Sequence, residues 1–146
     1  MGQFFSFRNF YVGKPAADFT LPIAGKGEAT MSEYRNGKGA IIFFWATWCP
    51  HCRTALDDLS KRAVELEERG IKIIAVNIEE TESAVKSYAS WHNITLDIFL
   101  DTNSSLVGPY GIVAVPAFYL VGSDGIVQAV ENSLSSIMSK LYKIGR

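Results

Sequence analysis

The chain has 146 residues, 48% of them hydrophobic and 12% aromatic, and its 14 basic and 15 acidic side chains leave a formal charge of -1. That is enough apolar material for the core of one domain, and the balanced charge excludes the broad basic field by which proteins gather on nucleic acid or anionic membranes. No apolar run of about 18 residues offers a bilayer-spanning helix, and two cysteines are too few for a disulfide-stapled scaffold.

The opening MGQFFSFRNFYVGK is aromatic but short, is broken by Arg8 and Asn9, and lacks the basic start and long apolar middle of a signal peptide. Residues 1–10 are expected to form an N-terminal arm packed on the domain; an interfacial anchor would call for a more basic polar face. A chain from which a signal or anchor had been removed would begin in the same way. Residues 17–39, ADFTLPIAGKGEATMSEYRNGKG, are rich in turn formers and predict a short hairpin plus one helical turn.

GAIIFFWA (39–46) is an apolar, β-branched and aromatic run suited to a central parallel strand covered on both faces. From Pro50 to Arg69, apolar residues recur at Cys52, Leu56, Leu59, Ala63 and Leu66, the spacing of an amphipathic helix, with Gly70 placed to end it. IKIIAVNI (71–78) predicts a second buried strand, 81–92 a helix and 96–100 a short strand. This βαβαβ alternation implies a parallel sheet with helices on its faces. AFYLV (117–121) and GIVQAV (125–130), separated by a GSDG turn, predict an antiparallel hairpin, and a last helix is expected over 133–142.

All the cysteine lies in WATWCPHCRTA (45–55), as Cys49 and Cys52 with Pro50 and His51 between them. A cysteine attacks as thiolate, and an ordinary thiol near pKa 8.5 is mostly protonated at neutral pH. Cys49 falls at the strand-to-helix turn, where unpaired N–H groups and the positive end of the helix dipole favour an anion. Pro50 suits the first helical position, whose N–H would have no partner anyway, and His51 adds a group beside the sulfur that can donate a hydrogen bond or carry positive charge. One turn later, Cys52 can reach back and resolve a mixed disulfide between Cys49 and a substrate, leaving a Cys49–Cys52 disulfide. The two middle residues then tune the direction of exchange.

Other readings fit less well. A c-type haem site needs His after the second cysteine, where Arg53 stands. Structural zinc takes about four ligands, and only His51 and His92 could join the sulfurs. The chemistry calls for no metal and no cofactor. An inert buried pair would leave Pro50 and His51 without a role.

WATWCPHC resembles the thioredoxin superfamily and, more closely, its TlpA/ResA-like extracytoplasmic members of the AhpC/TSA-Redoxin branch. The likeness covers nearly the whole chain: VGKPAADFTLP is similar to that branch's opening segment, AIIFFWATWCPHC to its active-site strand and motif, IKIIAVNIEE to its next strand, and YGIVAVPAFYLVGSDGIV to its closing hairpin. The resemblance implies one domain over 1–146, an α/β three-layer sandwich of thioredoxin type with a central mixed sheet flanked by helices, an N-terminal hairpin and a central βα insertion at 81–100.

The resemblance further implies a thiol:disulfide oxidoreductase in which Cys49 attacks, Cys52 resolves, Pro50, His51 and Trp48 tune or shield, and Val115 and Pro116, joined by a cis bond, receive an extended substrate. The expected partners are disulfide-bearing proteins, among them clients of cytochrome c maturation, and a membrane thiol donor, with no nucleic acid and a monomeric chain. The expected location is the periplasm or the outer face of the cytoplasmic membrane, with the cytoplasm as the alternative. Two alternative functions stand beside it: a net oxidase, because the PH dipeptide is shared with DsbA-like oxidases although their inserted helical domain has no room here, and a redox-inactive or metal-binding interaction module. The peroxidases of this fold place their cysteine in a Pro-x-x-x-Thr-x-x-Cys motif, which 41–49 does not provide.

Two departures matter. Where thioredoxins carry a buried acid beneath the second cysteine the chain has Phe43, and where ResA-type members carry a glutamate three residues past it the chain has Ala55. The Cys52 proton would then pass to water, His51, or an acid such as Glu79 or Glu80, although a solvated loop is the expectation for those glutamates. Trp45 is expected to pack within its strand, and Trp91 and His92 to lie at the end of a helix as packing and surface.

Overall fold

The computed structural model describes residues 10–144, so residues 1–9 of the expected arm lie outside it. Strands β1 (Thr20–Pro22) and β2 (Glu28–Thr30) form the expected antiparallel hairpin, and the helical turn after it is α1 (Met31–Arg35). Then come β3 (Gly39–Trp45), α2 (Pro50–Glu68), β4 (Ile71–Ile78), α3 (Glu82–Trp91), β5 (Ile98–Asp101), β6 (Ala117–Val121), β7 (Val127–Glu131) and α4 (Leu134–Ile144).

The main sheet has the order β5-β4-β3-β6-β7. β3 runs parallel to β4, and β4 parallel to β5; β6 is antiparallel to both β3 and β7. β3 is therefore the centre, and all seven of its residues are buried, as an unbroken apolar run in a doubly covered strand requires. Alternate residues sort its two faces. Ile41, Phe43 and Trp45 pack with Leu56 and Leu59 of α2, Val85 of α3 and Ile137 and Met138 of α4, while Ile42 and Phe44 pack with Met31, Phe99, Tyr110 and Tyr119. The result is helices, mixed sheet, and a second layer made of α1, the hairpin and the turns of 106–112.

The elements expected from periodicity are present with shifted ends. α2 stops where predicted: Gly70 takes the left-handed conformation at φ 79° and donates to the Glu67 carbonyl at 3.0 Å. β5 begins at Ile98 rather than 96, because Asp97 instead accepts from Lys26 at 2.6 Å and from Tyr34 at 2.8 Å. β7 begins at Val127 rather than 125, since Gly125 (φ 84°) closes the turn onto Gly122 and Ile126 bridges to Pro15. Among the described residues, no helix is long and apolar enough to cross a membrane.

Candidate active site

β3 ends at Trp45, and four residues later Cys49 caps the start of α2. Cys49 itself is extended (φ -98°, ψ 110°) and Pro50 takes the first helical position, so the bend of the chain aims the Cys49 sulfur back over the helix end. The Cys52 amide donates to Cys49 Sγ at 3.2 Å, and the Cys49 thiol points at the Val115 carbonyl 3.7 Å away. Both cysteines are free thiols. Cys49 retains 5% of its surface and Cys52 none. Burial pushes the Cys52 thiol well above the usual range, and its hydrogen bond to Cys49 adds to the effect.

The sequence-predicted residues around Cys49 form the mouth. The Val115–Pro116 bond is cis, and Val115 and Pro116 are half-buried just ahead of β6, with the Pro116 carbonyl accepting from Asn132 Nδ2 at 3.2 Å. Trp48 is 70% exposed beside the sulfur, as a contact surface would be, whereas Trp45 is fully buried and stacked on Phe43. His51 and Pro50 are exposed, and His51 lines a groove of about 470 Å³ with Thr54, Asp58, Pro116 and Ser133. Trp91 is 84% exposed at the end of α3, and His92 is exposed with its ring on Tyr88 at 4.2 Å, so neither reaches the sulfurs.

The floor beneath Cys52 departs from expectation. Phe43 is fully buried and stacked on Phe118 at 4.9 Å, and Ala55 is buried on the same side, so the floor at these two positions is apolar. An acid arrives from the loop that follows β4. β4 places Asn77, 0% exposed, opposite Trp45, and Asn77 Nδ2 donates to Glu80 at 2.7 Å. The other donors to the Glu80 carboxylate are the Thr47 amide at 2.9 Å and the Thr47 hydroxyl at 2.5 Å. Glu80 is thus half-buried and fastened under the 46–49 loop, against the solvated-loop expectation, while its neighbour Glu79 is exposed as expected. Three donors offset the cost of withdrawing a carboxylate from water. Sequence reading had no role for Thr47 or Asn77; the available signal was a polar residue near the end of the apolar run IIAVNI.

The arrangement suits two-step thiol exchange: one sulfur with a small exposed fraction beside the Val115–Pro116 segment, and a second, fully buried, one helical turn behind it. Among the described residues, no three His, Cys, Asp or Glu side chains converge as metal ligands would. The model of the AhpC/TSA family matches residues 12–130. The chain is 25% identical over 131 residues to the thiol-disulfide oxidoreductase ResA of Bacillus thuringiensis, covering 89% of this chain and 75% of that one. It is 30% identical over 118 residues to the ResA of Halalkalibacterium halodurans, covering 81% and 66%. In three dimensions it is similar to a putative thiol:disulfide interchange protein DsbE from Chlorobium tepidum, with a TM-score of 0.84 at 19% identity over 92% of this chain and 98% of that one.

Proposed function

The chain belongs to the AhpC/TSA family and is a thiol-disulfide oxidoreductase of thioredoxin fold, and from that premise we propose that Cys49 and Cys52 carry the reaction and that its net direction is reduction of disulfides in exported proteins. The Cys49 thiolate attacks one sulfur of a client disulfide. A Cys49–client bond forms as the client disulfide breaks, and the displaced client sulfur leaves as a thiolate that takes a proton from solvent. The Cys52 thiolate then attacks Cys49, forming the Cys49–Cys52 disulfide and releasing the second client thiolate. Two electrons have passed from the dithiol to the client.

The observation that carries this reading is the Cys49 sulfur, which accepts the Cys52 amide at 3.2 Å while facing the Val115 carbonyl at 3.7 Å. An N–H directed at the sulfur suits a group that must carry charge, and the backbone edge beside Pro116 suits an extended client strand. Trp48 supplies an apolar contact beside the sulfur, and His51 and Pro50 tune the couple. The chain acts as a single-domain monomer with no cofactor, is recharged by a membrane thiol donor outside the cytoplasm, and has clients of cytochrome c maturation among its substrates. The names of its ResA relatives support the thiol-disulfide exchange itself.

Replacing Cys49 with Ser abolishes insulin reduction; retained activity overturns the assignment. The direction is read from the Cys49/Cys52 reduction potential in defined thiol buffers. A value below roughly -230 mV fits the reductant proposed here, and one above roughly -150 mV makes the protein an oxidant instead.

A further inference from the structure

The resolving step requires Cys52 to lose its proton, and the mouth does not account for where that proton goes. Cys52 is fully buried, and the apolar Phe43 and Ala55 share its core cluster. Among the described residues, the carboxylate hydrogen-bonded to the active-site loop is Glu80, through Thr47.

Two features join Glu80 to the buried sulfur. Ala46 and Thr47 are consecutive residues: the Ala46 backbone lies against the Cys52 thiol and favours its anion, while the Thr47 amide donates to Glu80 at 2.9 Å. Sulfur and carboxylate are therefore held by neighbouring peptide units, close enough that the Glu80 charge acts on Cys52. Asn77 supplies the second feature. Ile73 and Ala75 of β4 pack in the cluster that contains both cysteines, and the strand alternation puts Asn77 on that same face. Its Nδ2 holds Glu80, and its Oδ1 is buried without a hydrogen-bond partner. An acceptor without a partner at that depth is costly, and it is ready for a carboxyl that has gained a proton, because an amide that turns over offers oxygen in place of N–H.

We propose that Glu80 is the proton acceptor for Cys52 in the resolving step, with Thr47 and Asn77 as the residues that position it. The inference rests on the assignment of Cys49 as attacker and Cys52 as resolver. The Cys52 S–H bond breaks, its proton passes to the Glu80 carboxylate, and the electron pair left on sulfur forms the bond to Cys49. The Cys49–client bond breaks in the same step, and the departing client thiolate carries the negative charge out. Charge inside the site is conserved during the transfer, so the buried sulfur is never required to ionise alone.

The test uses the full chain and a symmetric nitroaryl disulfide that releases one coloured thiolate when Cys49 attacks and a second when Cys52 resolves. In Glu80→Gln the amide keeps the size and most hydrogen bonds of the acid, since the Thr47 hydroxyl can accept as well as donate. The first phase is expected at its wild-type rate. The second is slowed about 100-fold near neutral pH, at the low end of what a positioned base contributes, and then rises in proportion to hydroxide. Thr47→Val slows only the second phase, by less. If Glu80→Gln does not fold, Glu80→Asp carries the test: slowing of the second phase alone supports the proposal, and an unchanged second phase overturns it. A wild-type rate and pH profile in folded Glu80→Gln also overturn it. Absence of a Cys49-dependent first phase in the wild-type protein sinks the two-cysteine reading itself, a different and separately visible failure.

Discussion

The two cysteines stand one helical turn apart and occupy different media. Around Cys49 the groups are exposed and loosely constrained: Trp48, Pro50 and His51 face solvent, and the open groove runs past Pro116. Around Cys52 everything is sealed, with stacked aromatics on one side and the Glu80 carboxylate fastened to Thr47 and Asn77 on the other. The contrast teaches that spacing alone does not make a dithiol site. The motif brings two sulfurs together, and the fold around them sets one beside the exposed Trp48, Pro50 and His51 while sealing the other completely.

The largest expected effect comes from removing the sealed sulfur while leaving the mouth intact. Cys52→Ser is expected to attack clients through Cys49 and then stall, so that turnover falls to background and a covalent adduct accumulates, visible by mass spectrometry under non-reducing conditions. Rapid client release from this variant would mean that the floor takes no part in resolution.

A smaller effect separates the regions by pH. Burial raises the Cys52 thiol above its value in the unfolded chain, so above the unfolded value of about 8.5 the unfolded state releases a proton that the folded state keeps. The stability that the neutral thiol contributes is fully present below that pH and is lost as pH rises beyond it. The reduced protein is therefore expected to lose stability toward alkaline pH faster than the oxidised protein, in which Cys52 has no proton to lose. Urea midpoints of the two forms near pH 7 and pH 10 check this, and parallel pH dependence breaks the contrast between mouth and floor.

The smallest effect is at the rim. Trp48 is 70% exposed, so Trp48→Ala is expected to change folding stability by no more than about 0.5 kcal/mol. Its loss is felt in client binding, as a KM raised several-fold with kcat nearly unchanged, the pattern of lost uniform binding. A fall in kcat at constant KM would place Trp48 in the chemistry instead.

What sequence could and could not reveal divides along the same line. The run GAIIFFW, the helical spacing from Cys52 to Leu66 and the Gly-bounded hairpin are periodic signals, and each became the expected element because burial on a strand or helix face repeats with the chain. The position of Cys49, Pro50 and His51 was equally legible, since the end of an apolar strand run and a Pro at a helix start place all three at one strand-to-helix turn. The floor was not. Glu80 belongs to an acidic pair leaving a strand, and the ordinary expectation for such a pair is solvent. Its burial depends on Glu79 adopting φ 65° and on Thr47 supplying two donors from a loop that precedes it by thirty-three residues. A left-handed turn at a non-glycine residue and a contact of that separation leave no periodic trace.

The central position of β3 also has a consequence for the chain as it is being made. β4 follows one helix after β3, but Val115, Phe118 and the α4 residues Ile137 and Met138, which complete the cluster around the sulfurs, lie in the last third of the sequence. At roughly 5–20 residues per second during synthesis, Cys49 and Cys52 spend several seconds outside the growth point before their cover exists. The newborn chain thus passes through an interval in which its two thiols lack the cover that Phe118, Ile137 and Met138 give them in the folded protein.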